Sequence, residues 1–156
     1  PLPGVVLEDY YLEHIVLCLS DGLLAQCGID LDTHRGEIAA GNLSALCDCP
    51  FVLGSAEDIG GRIGRGLLRS SGVSPVSKAT SENVETLLAL CEQGVGACFC
   101  PENLLHTALS PEQLAHLHIL PLCPEASYPI CFGYLSRSYP WSVLSEFIRI
   151  AREQTA

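Results

Sequence analysis

The sequence predicts an α/β layered fold, and three observations lead there. Short apolar runs bounded by turn residues alternate with stretches whose apolar residues recur at helical spacing. One run, Val95 to Pro101, is apolar throughout, as a strand covered on both faces would be, which predicts a parallel sheet with right-handed crossovers. The 156 residues, 48% apolar and 17% charged, suffice for one domain or two small lobes and exclude a disordered or collagen-like chain.

The elements follow in order. Glu13 to Leu19 reads as a buried strand, and so does Phe51 to Leu53 between Pro50 and Gly54. Asp58 can cap a helix whose Ile59, Ile63 and Leu67 recur every four residues, with Gly72 as its stop. Arg62, Arg65 and Arg69 then form a solvated stripe on the other face. Glycines at 60, 61, 64 and 66 each cost up to about 1 kcal/mol in a helix interior, so they imply a close backbone approach or a late helix start. Their order is not the dinucleotide fingerprint, which needs G-x-G-x-x-G directly after a strand. Val76 to Ala79 is a short strand, after which Ser81 can cap a helix with Val84, Leu87, Leu88 and Cys91 inward, closed by Gly94. Ser110-Pro111-Glu112-Gln113 is a capping box opening a short helix to Leu117. His118 to Leu122 and Ile130 to Leu135 are strands; Trp141 to Glu153 is an amphipathic helix with Val143, Leu144, Phe147, Ile148 and Ala151 inward.

Composition narrows the function. Eighteen acidic against eight basic residues leave a net charge of -10, which opposes direct binding to a phosphate backbone. No apolar run approaches the length of a membrane span, so no membrane partner is expected. The chain lacks methionine, so Pro1-Leu2-Pro3 is expected not to be a translation start but the beginning of a fragment or processed chain. Nine cysteines, with no C-x-x-C, several inside apolar runs, read as small hydrophobes of a reducing cytoplasm. Neither the C-x-C pairs Cys47/Cys49 and Cys98/Cys100 nor His116 and His118 have metal-ligand spacing, so no metal site and no cofactor is expected, and the histidines read as a half-buried strand. No nucleophile elbow, Walker loop or H-E-x-x-H occurs. Two strand-to-helix junctions remain, Gly54 to Asp58 and Thr80 to Asn83, of the kind that collects ligands at the carboxyl ends of parallel strands.

At this point the order of motifs resembles a family. Asn42 to Leu46 followed by Cys49-Pro50-Phe51-Val52-Leu53 resembles the "dL..L...pfi" segment of the effector-binding domain of LysR-type transcriptional regulators, and Ser81 to Pro101 resembles its "s...t..lv.aG.Gia.lP". Leu12 to Leu17 is similar to its "L..e.l.lv" strand, and Phe132 to Leu135 with Trp141 to Glu153 to its closing strand and helix. The resemblance implies a periplasmic-binding-protein-like fold of two lobes, the second complete and the first partly represented. Residues 1–20 would end the first lobe and cross over, residues 21–121 would form the effector-binding second lobe, and residues 122–156 would return to the first. The family's winged helix-turn-helix has no counterpart here, so DNA would be reached only through an absent N-terminal domain.

Carried over residue by residue, the resemblance places Gly54, Ser55, Asp58, Ser81, Asn83 and Pro101 on the cleft side of the second lobe and Tyr128 opposite them. The implied partner is a small-molecule effector. Glu57, Asp58 and Glu82 in these loops argue for a neutral, zwitterionic or singly charged one, unless Arg62 swings in. The full-length protein would be a cytoplasmic homodimer or tetramer, with the Asn83 to Gln93 helix at the dimer contact, Glu85, Ala89 and Glu92 outward and Leu90 exposed beside them. A role in oxidant sensing, known among relatives, is disfavoured by cysteines in apolar runs. The alternatives are a periplasmic-type solute-binding protein, disfavoured by nine scattered cysteines, and a cysteine-dependent α/β enzyme, disfavoured because Cys98 and Cys100 have no histidine near them in sequence.

Overall fold

The computed structural model describes residues 3–136 and 142–155; Trp141, the expected start of the last helix, and Pro1 and Leu2 lie outside the described residues. The chain divides into two compact units, Pro1–Glu13 with Tyr128–Ala156, and His14–Ser127. Strand β1 (Val5–Ser20) contributes to both, and it starts eight residues before the expected Glu13.

In the larger unit the order after β1 is α1 (Asp21–Cys27), α2 (Leu31–Ala39), β2 (Pro50–Gly54), α3 (Ile59–Ser70), β3 (Val76–Ser81), α4 (Val84–Glu92), β4 (Cys98–Pro101), α5 (Glu102–Ala108), α6 (Pro111–Leu114) and β5 (Leu117–Pro121). β2 and β3 pair in parallel, while β4 and β5 flank β1 antiparallel. The expectation of a parallel sheet through residues 95–101 therefore needs correction. Only Ala97 runs parallel to Phe51, with the Val52 N–H donating to the Ala97 carbonyl at 2.9 Å. From Cys98 onward the strand leaves β2 and pairs antiparallel with Ile15 to Cys18. Its uniform burial arises because it passes from one sheet to the other beneath helices, with Cys98 and Cys100 fully buried and Phe99 against α3.

The glycines of α3 show what seats that helix. Its buried face is Gly60, Gly61, Gly64 and Leu68, not the expected Ile59, Ile63 and Leu67; Ile59 is exposed and the other two half-buried. A Cβ on Gly64 would stand 2.4 Å from the Phe99 ring, and one on Gly61 2.1 Å from the Ser55 carbonyl oxygen. Gly54 meets the Gly61 backbone in the same way, at 3.3 Å from its Cα. With no side chains between them, helix and strands approach to backbone contact, and Phe51 and Phe99 stack at 6.0 Å between centroids.

Caps define the remaining ends. Asp58 caps α3, accepting from the Gly61 N–H at 3.0 Å, and the capping box at Ser110 and Gln113 is present, though its helix ends at Leu114. Helix α4 is capped by Asn83, whose Oδ1 accepts from the Thr86 N–H at 2.9 Å, and not by Ser81, which is the last residue of β3. Leu90 of α4, expected to be exposed, is half-buried against the core. His118 in β5 lies 2.7 Å from the Asp21 carboxylate, a partner that sequence spacing hid because it is 97 residues away.

The core of this unit gathers Val16, Cys18, Val52, Leu87, Leu88, Cys91, Cys98 and Cys100. The Cys18 and Cys100 sulfurs are 3.6 Å apart, and Cys91 donates to the Cys18 carbonyl at 3.2 Å. Burial, with the neighbouring Cys27 thiol, pushes the Cys49 thiol up to about 12, and the Cys18 and Cys91 thiols with burial hold Cys98 well above its usual range. Contacts with the Cys100 and Cys98 thiols hold Cys18 well below its usual range, whereas Cys49 and Cys98 are neutral and pack as small hydrophobes.

In the smaller unit the first part of β1, β6 (Ser127–Leu135) and α7 (Ser142–Thr155) are tied by polar contacts. Tyr10 donates to the Ala151 carbonyl at 2.9 Å, and Arg152 pairs with Glu8 at 2.8 Å. Of the residues of α7 expected inward, Ile148 is buried, but Val143 and Phe147 are 75% and 59% exposed.

Two predictions follow from this packing. Gly61→Ala should lower stability by about 1–3 kcal/mol or more, since backbone must shift, whereas Gly66→Ala, with open space around it, should be neutral or add up to about 1 kcal/mol. Urea unfolding of both variants checks this contrast. The raised Cys49 and Cys98 thiols contribute stability that is complete below pH about 8.5 and is lost from there toward about pH 12, because the unfolded thiols ionise first, while the lowered Cys18 thiol acts in the opposite direction. Urea midpoints at about pH 8 and pH 10.5 measure the fall, and Cys49→Ala should make it shallower.

Candidate functional site

The β2–β3 ladder places Gly54 opposite Ser81, so the two strand-to-helix junctions expected from sequence open side by side. Ser55, Asp58, Asn83 and Ser81 therefore share one end of the larger unit. Pro101 ends β4, the next strand beyond the Phe51–Ala97 bridge. Tyr128 stands in β6, in the smaller unit.

Each junction is organised by its own hydroxyl and its own cap. Ser55 Oγ accepts from the Glu57 N–H at 3.3 Å, which curls the loop before α3. Ser81 Oγ accepts from the Asn83 N–H at 3.1 Å and donates back to the Asn83 carbonyl at 3.4 Å. Asp58 and Asn83 occupy one first-turn N–H of each helix, at Gly61 and Thr86. The helix ends are consequently less open to an anion than the sequence suggested. What the site offers a ligand is a pair of serine hydroxyls, each with lone-pair capacity beyond its loop bond, and a nearby cation.

That cation is Arg65, which the sequence reading assigned to a solvated stripe. It is half-buried, and its Nη2 donates to the Gly54 carbonyl at 2.7 Å. Arg62, the residue expected to swing in, is exposed. A signal for Arg65 was present: it stands one turn after Gly61 and seven residues after Asp58, and helical side chains lean toward the N-terminus, back to the end of β2. Among the described residues no group of three or more histidine, cysteine or acidic side chains is arranged to hold a metal.

The family described as LysR substrate binding domain matches residues 1–156. This chain belongs to that family. No curated protein sequence matches it significantly. The fold is that of solved LysR structures. The Synechocystis PCC6803 CcmR regulatory domain in complex with 2-PG has a TM-score of 0.70 at 13% identity, covering 99% of this chain and 69% of that one. The effector-binding domain of QuiR in complex with shikimate gives 0.65 at 12% identity, with 98% and 66% covered. A LysR-family regulator from Pseudomonas aeruginosa gives 0.69 at 17% identity, with 99% and 49% covered. The chain thus spans about two-thirds of these LysR effector-domain structures and about half of the longer regulator. No helix among the described residues is long and apolar enough to cross a membrane.

The caps give a test of the junctions. Asn83→Ala should cost about 1 kcal/mol, while Ser81→Ala, which removes only loop bonds, should cost less than half as much; thermal unfolding of the two variants compares them.

Proposed function

We propose that this LysR substrate-binding chain is the effector-sensing part of a transcription regulator, a binding module and not an enzyme. The observation that carries the reading is the pairing of Gly54 with Ser81, which sets two serine-bearing strand ends beside each other where open α/β folds bind ligands. Gly54, Ser55, Ser81, Asn83 and Pro101 form the effector face of the larger unit, residues 21–121 being its effector lobe. Asp58 fixes the loop as the α3 cap. Glu57, Asp58 and Glu82 disfavour multiply charged anions, so the effector carries at most one net negative charge.

On this reading the effector acts, through subunit contacts, on DNA-binding domains supplied by a separate part of the cytoplasmic regulator. Dimerisation uses the outward face of α4, where Glu85 and Ala89 are exposed. The apolar surface of α7 at Val143, Phe147 and Ile150 receives chain that completes the first lobe, in keeping with the partial coverage of the effector-domain neighbours.

A thermal-shift screen of small metabolites tests the reading. A true effector at one hundred times its dissociation constant adds about 2.7 kcal/mol of stability. The double variant Ser55→Ala, Ser81→Ala should stay folded and bind that effector at least about tenfold more weakly, a loss of about 1.4 kcal/mol. Unchanged affinity in the double variant would remove these hydroxyls from the site.

A further inference from the structure

Arg65 differs from every other arginine among the described residues. Arg35, Arg62 and Arg69 are exposed, Arg149 pairs with Glu146 and Glu153, and Arg152 pairs with Glu8. Arg65 is half-buried, and among the described residues no carboxylate reaches it within ion-pair distance. Its one bond is to the Gly54 carbonyl, and its Nε is buried with no hydrogen-bond partner. Of the two acidic residues of the adjoining loop, Asp58 has Oδ2 on the Gly61 N–H and Glu57 is exposed. A buried donor without a partner is costly, and a guanidinium presents five donors in a planar fork shaped for a carboxylate. One donor fixes the fork on the last residue of β2, beside the Ser55 loop and opposite Ser81.

We propose that Arg65 is the charged anchor of the effector, and that the effector is a small molecule bearing a carboxylate. The proposal rests on the reading of these strand ends as the effector face. The Gly54 bond holds the guanidinium at the mouth of the junction while its remaining donors take the carboxylate, and the Ser55 and Ser81 hydroxyls bind the polar groups beside it. The acidic loops then act as a filter: one carboxylate is balanced by Arg65, and a second charge meets Glu57 and Asp58.

Nuclear magnetic resonance of the 156-residue chain, following arginine Nε–Hε signals and backbone amides, decides it with benzoate as the probe and benzamide as its neutral isostere. Benzoate should move the Arg65 Nε–Hε signal and the Ser55 and Ser81 amides along one binding curve, and benzamide should bind at least tenfold more weakly. Arg65→Lys, which keeps the charge but loses the fork, should weaken benzoate at least fivefold with the amide spectrum preserved, and Arg65→Gln should abolish the preference for the anion. The proposal is overturned if no benzoate shift reaches Arg65, or if benzamide moves the Ser55 and Ser81 amides as strongly as benzoate, which would leave the effector face standing without its anchor. Benzoate shifts at Arg65 with silent Ser55 and Ser81 amides would overturn the assigned effector face instead, keeping Arg65 as an anion site elsewhere.

Discussion

The Ser55 carbonyl oxygen would lie 2.1 Å from a Cβ on Gly61, and a Cβ on Gly64 would sit inside the Phe99 ring contact. Helix α3 can therefore rest on β2 and β4 only with hydrogens at those two positions. Other features of the larger unit depend on that seat. It lets Phe51 and Phe99 stack across the point where residues 95–101 pass from the parallel pair to the antiparallel sheet. It also brings the second turn of α3 close enough for Arg65 to reach the Gly54 carbonyl. Gly96 repeats the device on the other strand, since a Cβ there would stand 2.8 Å from the Phe51 carbonyl carbon. Several glycines weaken the helix by up to about 1 kcal/mol each, a cost offset by burying two aromatic rings and by the Asp58 cap.

The thiols serve the same end by being small. Cys18, Cys98 and Cys100 lie where β1 and β4 pair beneath α4 and α5, and leucines in their place would force the layers apart. Burial and mutual contact hold Cys49 and Cys98 neutral, so neither is a ready nucleophile. Cys18, whose thiol the Cys100 and Cys98 contacts lower, is fully buried, and the binding reading of the chain does not depend on this cluster.

Much of this was legible in sequence, for identifiable reasons. Asp58 as a cap, the capping box at Ser110, and the strands around Phe51 and Ile130 declared themselves through local rules that need no partner. The family resemblance was readable because four motifs kept their order across the chain. Helices α1, α2 and α5 went unread: α1 and α2 bury only Leu23, Leu31 and Ile38 between them, too few apolar residues to mark a helical stripe. The face of α3 was misassigned because periodicity counts large apolar residues, whereas this helix buries its glycines. Ser81 and Asn83 both suit a cap, and only the extent of β3 decides between them. Arg65 looked like one of three surface arginines until the Gly54 carbonyl was seen to hold it.

The pairing of Gly54 with Ser81 turns on an irregularity that no local rule announces. In the β2–β3 ladder Phe51 pairs with Ser77 and Val52 with Ala79, so Lys78 is left over as a bulge. The extra residue advances β3 by one position from there onward, which is why Gly54 meets Ser81 and not Thr80. A one-residue slip turns every following side chain to the other face of a sheet. Regular pairing would put Thr80 opposite Gly54 and Ser81 opposite Ser55, with each side chain beyond the bulge turned to the other face. The bulge therefore decides which face of the sheet Ser81 presents beside the Ser55 loop. The bulged residue, Lys78, is a charged side chain on the exposed stretch of β3, where an unpaired residue costs the ladder least.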